Sequence, residues 1–210
     1  MASFSASDHA GKYTGAKPFR IAGTLRVLGV DPAVAGATGY GVIEYDGPVP
    51  TLLRFGALKL PARATFASRL REIHRVIAQL VEEFAPDAVA VESVFTALNM
   101  RTALKLAEVR GVVLLAAEQA SIPSHSYSPR EVKASVAGYG GASKQQMQQM
   151  VSSLLRLSSV PEPADAADAL AVALCHAHLS QARERLAASI RVRATTASHS
   201  NRSRAARVPN

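Results

Sequence analysis

Two aspartates, Asp165 and Asp168, lie three residues apart at the start of an alanine-rich segment, ADAADALAVALCHAH. On a helix this spacing places both carboxylates at neighbouring points of one face. Acidic residues are common at a helix N-terminus, where the backbone dipole is positive. The same face otherwise carries small apolar residues such as Ala167 and Ala171. We therefore expect the helix to lie close to a sheet, with both aspartates directed towards it.

Two further acids each end an apolar run, Asp31 after VLGV and Glu92 after AVAV. A strand that simply stops at a polar residue explains either acid alone, and Pro32 is compatible with a plain turn. A buried carboxylate without a partner is costly, however, and needs a cation, a metal or a solvated edge. If the two strands are adjacent, four carboxylates converge without counter-charges and repel one another unless cations bind between them.

A cluster of oxygen ligands favours a hard divalent cation, Mg²⁺, with Mn²⁺ as a substitute. The sequence has one cysteine, Cys175, and its neighbouring histidines His176 and His178 point to different helix faces, so we interpret both histidines as structural. Two magnesium ions about 3.5 to 4 Å apart are suited to phosphodiester hydrolysis. The four acids therefore predict a two-metal hydrolytic site.

The elements that must position these acids follow from local patterns. Short apolar runs separated by turn residues predict three antiparallel strands, at about residues 25–30, 40–45 and 51–60. A stripe at steps of three and four, from Phe66 to Phe84, predicts an amphipathic helix. A strand (87–92), a helix (99–119), a strand (124–128) and three helices (129–136, 143–155 and 164–180) follow. The order βββαβαβααα indicates an α/β fold with a mixed five-stranded sheet flanked by helices.

Length and charge define the organisation of the chain. Its 210 residues are enough for one ordinary domain, and no apolar run approaches the ~20 residues of a membrane-spanning helix. The net charge of +8 comes entirely from the two ends, including seven arginines against Glu184 in residues 181–210. We predict a disordered extension at residues 1–24, a folded domain at 25–181 and a basic, disordered tail at 182–210. The first segment has the serines but few of the basic residues of a transit peptide, so a cytoplasmic location is expected.

The motifs GVDP, TGYGVI, AVAVESVF, SPREVKASVAGYGGASKQQMQQMV and ADAADALAVALCHAH occur in this order. Together they resemble the RuvC family of Holliday junction resolvases, endonucleases with an RNase H-like fold, over about residues 25–181. The resemblance implies that Asp31, Glu92, Asp165 and Asp168 bind two divalent metals and are catalytic. These are the four acids selected above from their positions.

The same resemblance assigns DNA contacts to three other residues. Lys133 and Lys144 match lysines near the scissile phosphate, and Phe95 matches an aromatic that stacks on unpaired bases at the junction centre. Two solvated helix lysines and a core phenylalanine are the alternatives. The first motif departs from the family, with Ala33 where glycine is usual and one additional residue before Thr38.

The function implied is symmetric cleavage of four-way junction DNA by a homodimer during recombination and repair, together with a RuvAB branch-migration complex. Cleavage would leave a 5′-phosphate. Two alternatives remain open at this point: an RNase H-like nuclease acting on RNA, and a junction-binding protein without catalytic activity. Retention of all four acids favours the enzyme.

Overall fold

The computed structural model describes residues 23–34, 36–46, 49–59, 63–93 and 99–205, with side chains as far as residue 190. Most of the predicted N-terminal extension and Phe95 lie outside the described residues. The chain divides into two units, Met1–Ala177 and His178–Asn210. All four acids belong to the first unit.

Five strands form one mixed sheet, as the sequence predicted, and their order in the sheet is β3-β2-β1-β4-β5. Their bounds are β1 Leu25–Asp31, β2 Thr38–Tyr45, β3 Pro50–Leu58, β4 Ala88–Glu92 and β5 Ser124–Tyr127. β1, β2 and β3 are antiparallel neighbours, which confirms the predicted meander. β4 joins the other edge of β1 in parallel, and β5 pairs in parallel with β4. The first strand is therefore central and ends at Asp31.

One face of the sheet packs against two long helices, α1 Phe66–Phe84 and α2 Met100–Gln119. The predicted stripe of α1 is confirmed, because Ile73, Ile77, Leu80 and Phe84 are buried in this core. Side chains alternate between the two faces of a strand. Leu28 and Val30 of β1 point into the same core, so Gly29 and Asp31 belong to the opposite face.

The last helix is α5 Ala164–Ala205, and its first part, as far as Ala173, contacts the opposite face. Two shorter helices precede it, α3 Pro129–Ala137 and α4 Lys144–Leu154, each with a capping box that defines its N-terminus. The predicted end of α5 near Ser180 is wrong, since the helical backbone continues to Ala205. Its sequence contains no glycine or proline, and alanine and arginine are strong helix formers. The predicted domain boundary at residue 181 stays a prediction.

In the part of the chain that is described, no helix is long and apolar enough to cross a membrane.

Candidate active site

Asp31 and Glu92 lie side by side at the ends of two neighbouring parallel strands. Val30 of β1 is in register with Val91 of β4, so the acid that follows each valine occupies the equivalent position. Since Val30 and Val91 both point into the core of α1 and α2, both acids point to the face covered by α5. The two strands are adjacent, which is the condition under which the sequence indicated that the carboxylates converge.

α5 approaches this face unusually closely because the strands beneath it contain glycine. A β-carbon on Gly29 would lie 2.2 Å from the carbonyl oxygen of Ala169, and one on Gly39 would lie 1.9 Å from that of Asp165. Any other residue at either position would force the helix outward. Gly39 is the register partner of Asp31, so the start of α5 is held directly beside the end of β1. From the sequence, the small alanines of α5 predicted this close approach, but the contribution of the glycines on β1 and β2 was not recognised.

The four carboxylates influence one another electrostatically. Burial, the largest cause, and the charges of Glu92, Asp168 and Asp165 together raise the pKa of Asp31 to about 8. A hydrogen bond between the two side chains further raises the pKa of Asp31 and lowers that of Glu92. Burial likewise raises the pKa of Glu92, while its bond with Asp31 and the charges of Lys133 and Lys144 act in the opposite direction. The tertiary fold has thus brought together four acids that are up to 137 positions apart in the numbering of the chain.

Two lysines lie at the same cluster, which corrects the expectation of carboxylates without counter-charges. Lys144, the first residue of α4, places Nζ 2.9 Å from Oδ2 of Asp168. This bond raises the pKa of the Lys144 ammonium. Lys133 on α3 is close enough to act on Glu92. Neither lysine is near the acids in sequence, so local inspection around Asp165 and Asp168 could not find them.

These residues line a cleft of about 230 Å³, here called the carboxylate cleft. Asp31, Glu92 and Asp168 form its acidic side, Lys133 and Lys144 its basic side, and Val132, Met147 and Ala171 are among its apolar lining residues. Asp165 is not among the lining residues, and its Oδ1 atom is 3.8 Å from a β-carbon built on Gly36. The cleft therefore combines metal-binding oxygens with cations that can bind phosphate.

The donor set fits a divalent cation, although its side chains do not form a closed ligand cage. Among the described residues, no group of three or more His, Cys, Asp or Glu is already arranged to hold a metal ion. Instead, the raised pKa of Asp31 favours its protonated form beside Glu92, and Lys144 forms an ion pair with Asp168. Both arrangements relieve repulsion that a hard cation would also relieve, and oxygen ligands suit such a cation.

A buried pair of polar side chains connects α5 to β5. The hydroxyl of Tyr127 lies 2.8 Å from Nδ1 of His176, which is only 3 % exposed, and the ring of His125 stacks 4.6 Å from that of His176. Tyr127 is the register partner of Glu92. The interpretation of His176 as a structural residue agrees with this burial, but no local sequence pattern identified Tyr127 as its partner.

The comparisons with known proteins agree with this geometry. Residues 27–176 match the family model described as crossover junction endodeoxyribonuclease RuvC. The chain is 47 % identical to the RuvC of Chloroflexus aggregans over 165 residues, which are 79 % of this chain and all of that protein. It is 48 % identical to the RuvC of Thermomicrobium roseum over 160 residues, covering 76 % and 97 % of the two chains. The structure of Thermus thermophilus RuvC in complex with a Holliday junction substrate matches with a TM-score of 0.70 and 35 % identity, over 74 % of this chain and 94 % of that chain.

The fold and the site therefore define a metal-dependent nuclease with an RNase H-like fold. The chain belongs to the RuvC family of crossover junction endodeoxyribonucleases.

Proposed function

We propose that this protein resolves Holliday junctions by metal-dependent hydrolysis of a phosphodiester bond in each of two strands, in recombination and repair. The observation that supports this most directly is the carboxylate cleft, where Asp31 and Glu92 share one face of the sheet with the start of α5. The T. thermophilus relative, which has been determined with a Holliday junction substrate, supports this choice of DNA substrate.

Asp31, Glu92, Asp165 and Asp168 would hold the metal, and two Mg²⁺ ions, replaceable by Mn²⁺, suit their charge and their oxygen ligands. When bound, the ions lower the pKa of the attacking water and neutralise charge on the leaving oxygen. The water oxygen then joins phosphorus while the bond from phosphorus to the 3′ oxygen breaks. The products are a 5′-phosphate and a 3′-hydroxyl.

Lys133 and Lys144 hold the scissile phosphate in this proposal. Both line the carboxylate cleft together with the acids, and charged ammonium groups bind phosphate oxygens strongly. The side chain of Lys144 is 60 % exposed, so it can exchange Asp168 for a phosphate without unfolding α4. Its departure would also release Asp168 to bind metal. Phe95, which lies outside the described residues, is proposed to stack on unpaired bases at the junction centre.

A homodimer suits this substrate, because two strands of like polarity are cut across a two-fold junction. The outer face of α2 supports the proposal. Met100, Leu104 and Leu115 are 75 %, 58 % and 51 % exposed and follow one side of the helix at steps of four and eleven. Large apolar side chains aligned in this way are typical of a surface that another protein covers. A RuvAB branch-migration complex and a cytoplasmic location are proposed from family membership.

Cleavage of a synthetic four-way junction tests the proposal. The purified protein, Glu92→Gln and the matched exposed variant Glu82→Gln are incubated with labelled junction, with and without Mg²⁺, beside a linear duplex and an RNA–DNA hybrid. We expect paired, ligatable nicks in the junction for wild type and Glu82→Gln. Glu92→Gln should bind the junction with unchanged affinity but cleave it at least about 100-fold more slowly, because removing one group that stabilises the transition state electrostatically reduces the rate by about this factor. Tight junction binding without nicks in Mg²⁺ or Mn²⁺ would instead support the non-catalytic alternative. Preferential cleavage of the hybrid would support the RNA nuclease.

A further inference from the structure

The hydrogen-bonded pair of Tyr127 and His176 lies where apolar side chains would be expected. Among the described residues of α5, His176 is the one polar side chain that is buried, and the helix around it buries alanine, leucine and valine side chains and Cys175. Apolar groups of the same shape can replace a buried hydrogen-bonded pair at almost no cost in stability. A hydrogen bond, however, is directional, whereas the hydrophobic effect is not. The pair therefore indicates that α5 and β5 need a defined relative orientation.

Tyr127 is tied to the backbone next to Glu92. The two residues are register partners on β5 and β4, so they point to the same face of the sheet from strands about 4.8 Å apart. Ser93, which follows Glu92, donates from its backbone N–H and from its hydroxyl to the carbonyl oxygen of Tyr127, at 2.8 and 3.1 Å. A displacement of Tyr127 is therefore transmitted to Glu92 through the main chain.

His176 has a matching relation to the acids of α5. It follows Asp165 by 11 residues, close to three helical turns, so both side chains project from one side of α5 about 16 Å apart along its axis. Gly29 and Gly39 determine how closely α5 approaches the sheet, but steric contacts alone leave a helix free to rotate or slide slightly. The 2.8 Å bond from His176 to Tyr127 and the stacking of its ring on His125 restrict both movements.

We infer that Tyr127 and His176 are positioning residues of the metal site, because their hydrogen bond orients the acids of α5 relative to Glu92. The inference rests on the proposed function of these acids as metal ligands. Neither residue is among the described lining residues of the carboxylate cleft, so the pair acts without touching the ions or the DNA. The groups of a catalytic site must be held within about 0.5 Å of their working geometry. Asp165 and Asp168 meet this requirement only if the rotation of α5 is fixed.

A set of variants separates positioning from stability. Tyr127→Phe removes the hydroxyl and leaves a buried imidazole nitrogen without it. The double variant, Tyr127→Phe together with His176→Leu, replaces both polar groups by apolar ones and should recover most of the melting temperature that Tyr127→Phe loses. His176→Asn is the conservative variant, since its amide can donate or accept near the position of Nδ1. Tyr40→Phe removes a buried tyrosine hydroxyl on the other face of the sheet and is the matched control.

The primary measurement is Mn²⁺ binding to the full chain without DNA, followed by electron paramagnetic resonance. Single-turnover cleavage at a fixed Mn²⁺ concentration and junction affinity in EDTA are measured beside it. We expect the double variant to bind Mn²⁺ at least about tenfold more weakly and to cut at least about tenfold more slowly, with unchanged junction affinity, as when side chains that orient metal ligands are removed. His176→Asn should keep most of the Mn²⁺ affinity, and Tyr40→Phe all of it.

Wild-type Mn²⁺ affinity and cleavage rate in the double variant would overturn the inference and leave the pair as a purely structural contact. An equal loss of Mn²⁺ affinity in Tyr40→Phe would also overturn it, because destabilisation alone would then explain the effect. If the double variant does not fold, Tyr127→Phe is compared with His176→Asn, and wild-type Mn²⁺ affinity in Tyr127→Phe then decides against the inference. If wild type binds Mn²⁺ but cuts no junction, the proposed function fails, while the Mn²⁺ titration still tests the role of the pair.

Discussion

Asp31 lies in an unfavourable environment whenever no cation is near. It is partly buried at the end of the central strand, beside Glu92, and α5 adds two more carboxylates. The pKa of Asp31 is accordingly raised to about 8, which favours its protonated form at neutral pH. The same repulsion that would draw metal into the cleft therefore destabilises the metal-free fold.

The stability of the metal-free protein should depend on the protonation of Asp31. The unfolded chain loses this proton near its ordinary pKa of 3.8, whereas the folded protein keeps it to about pH 8. The folded state binds more protons than the unfolded chain throughout that window. The contribution of Asp31 to the free energy of unfolding therefore falls as pH rises from about 4 to 8. An asparagine at position 31 does not titrate and therefore removes this pH dependence of stability. The melting temperature of Asp31→Asn minus that of wild type should therefore be larger at pH 8.5 than at pH 5.

Differential scanning calorimetry in EDTA measures the difference, and a domain of this size shifts by about 2 to 4 °C for each kcal/mol. Asp46→Asn, at an exposed aspartate, provides the control. Parallel melting curves for wild type and Asp31→Asn at both pH values would contradict the prediction.

At the scale of elements, the site depends on how closely α5 lies on the sheet. Gly29 and Gly39 leave no room for a side chain beneath the helix. At the edge strand of the sheet, the hydrogen bond between Tyr127 and His176 connects α5 to β5. The acids of α5 are thus held relative to Asp31 and Glu92 by packing at two separate places.

Gly39→Ala should displace the start of α5 and disable the site. Its methyl group would lie 1.9 Å from the carbonyl oxygen of Asp165, which backbone atoms cannot accommodate without movement. We expect a loss of about 1 to 3 kcal/mol in stability, the usual cost of overpacking, and a much larger fractional loss of cleavage rate. Thermal unfolding and single-turnover cleavage give the two values.

Gly111→Ala is the matched control, because nothing lies within 4 Å of a β-carbon at that position of α2. Alanine in a helix interior should raise its stability by up to about 1 kcal/mol and leave cleavage intact. Wild-type cleavage by Gly39→Ala would show that the close approach of α5 is not needed.

The charge of the whole molecule is concentrated at its ends. Residues 181–210 carry seven arginines and one glutamate, and the described side chains of residues 182–190 are exposed. The exposed residues of this described part include Arg183 and Arg185, and the backbone is helical as far as Ala205. An exposed basic segment of this kind binds the phosphate backbone by releasing counterions, and this affinity weakens with salt.

Neutralising four tail arginines should flatten the salt dependence of DNA binding. In the variant with Arg183, Arg185, Arg191 and Arg193 changed to glutamine, the slope of log K against log salt for duplex DNA should decrease by about 3 to 4. Changing the same residues to lysine preserves charge and should restore the slope. Fluorescence anisotropy over a salt series measures it. A slope that is identical in all three proteins would exclude the tail from DNA binding.

Much of this protein could be predicted from local sequence. The order of strands and helices, the stripe of α1 and the four acids all follow from periodicity and residue type, because each depends on neighbours within a few positions. The end of α5 was predicted too early, near Ser180. The helix continues to Ala205 because the sequence has no strong stop signal, such as glycine or proline, before that residue.

Only the tertiary structure decided how these pieces form a site. Strand register placed Asp31 and Glu92 on one face, and glycines on β1 and β2 admitted α5 against them. Lys144 reached Asp168 across 24 positions of the chain, and Tyr127 reached His176 across 49. These contacts join segments distant in sequence, whereas local patterns report only which face of an element is apolar. The sequence alone determined which residues could perform the chemistry; long-range packing determined which of them meet.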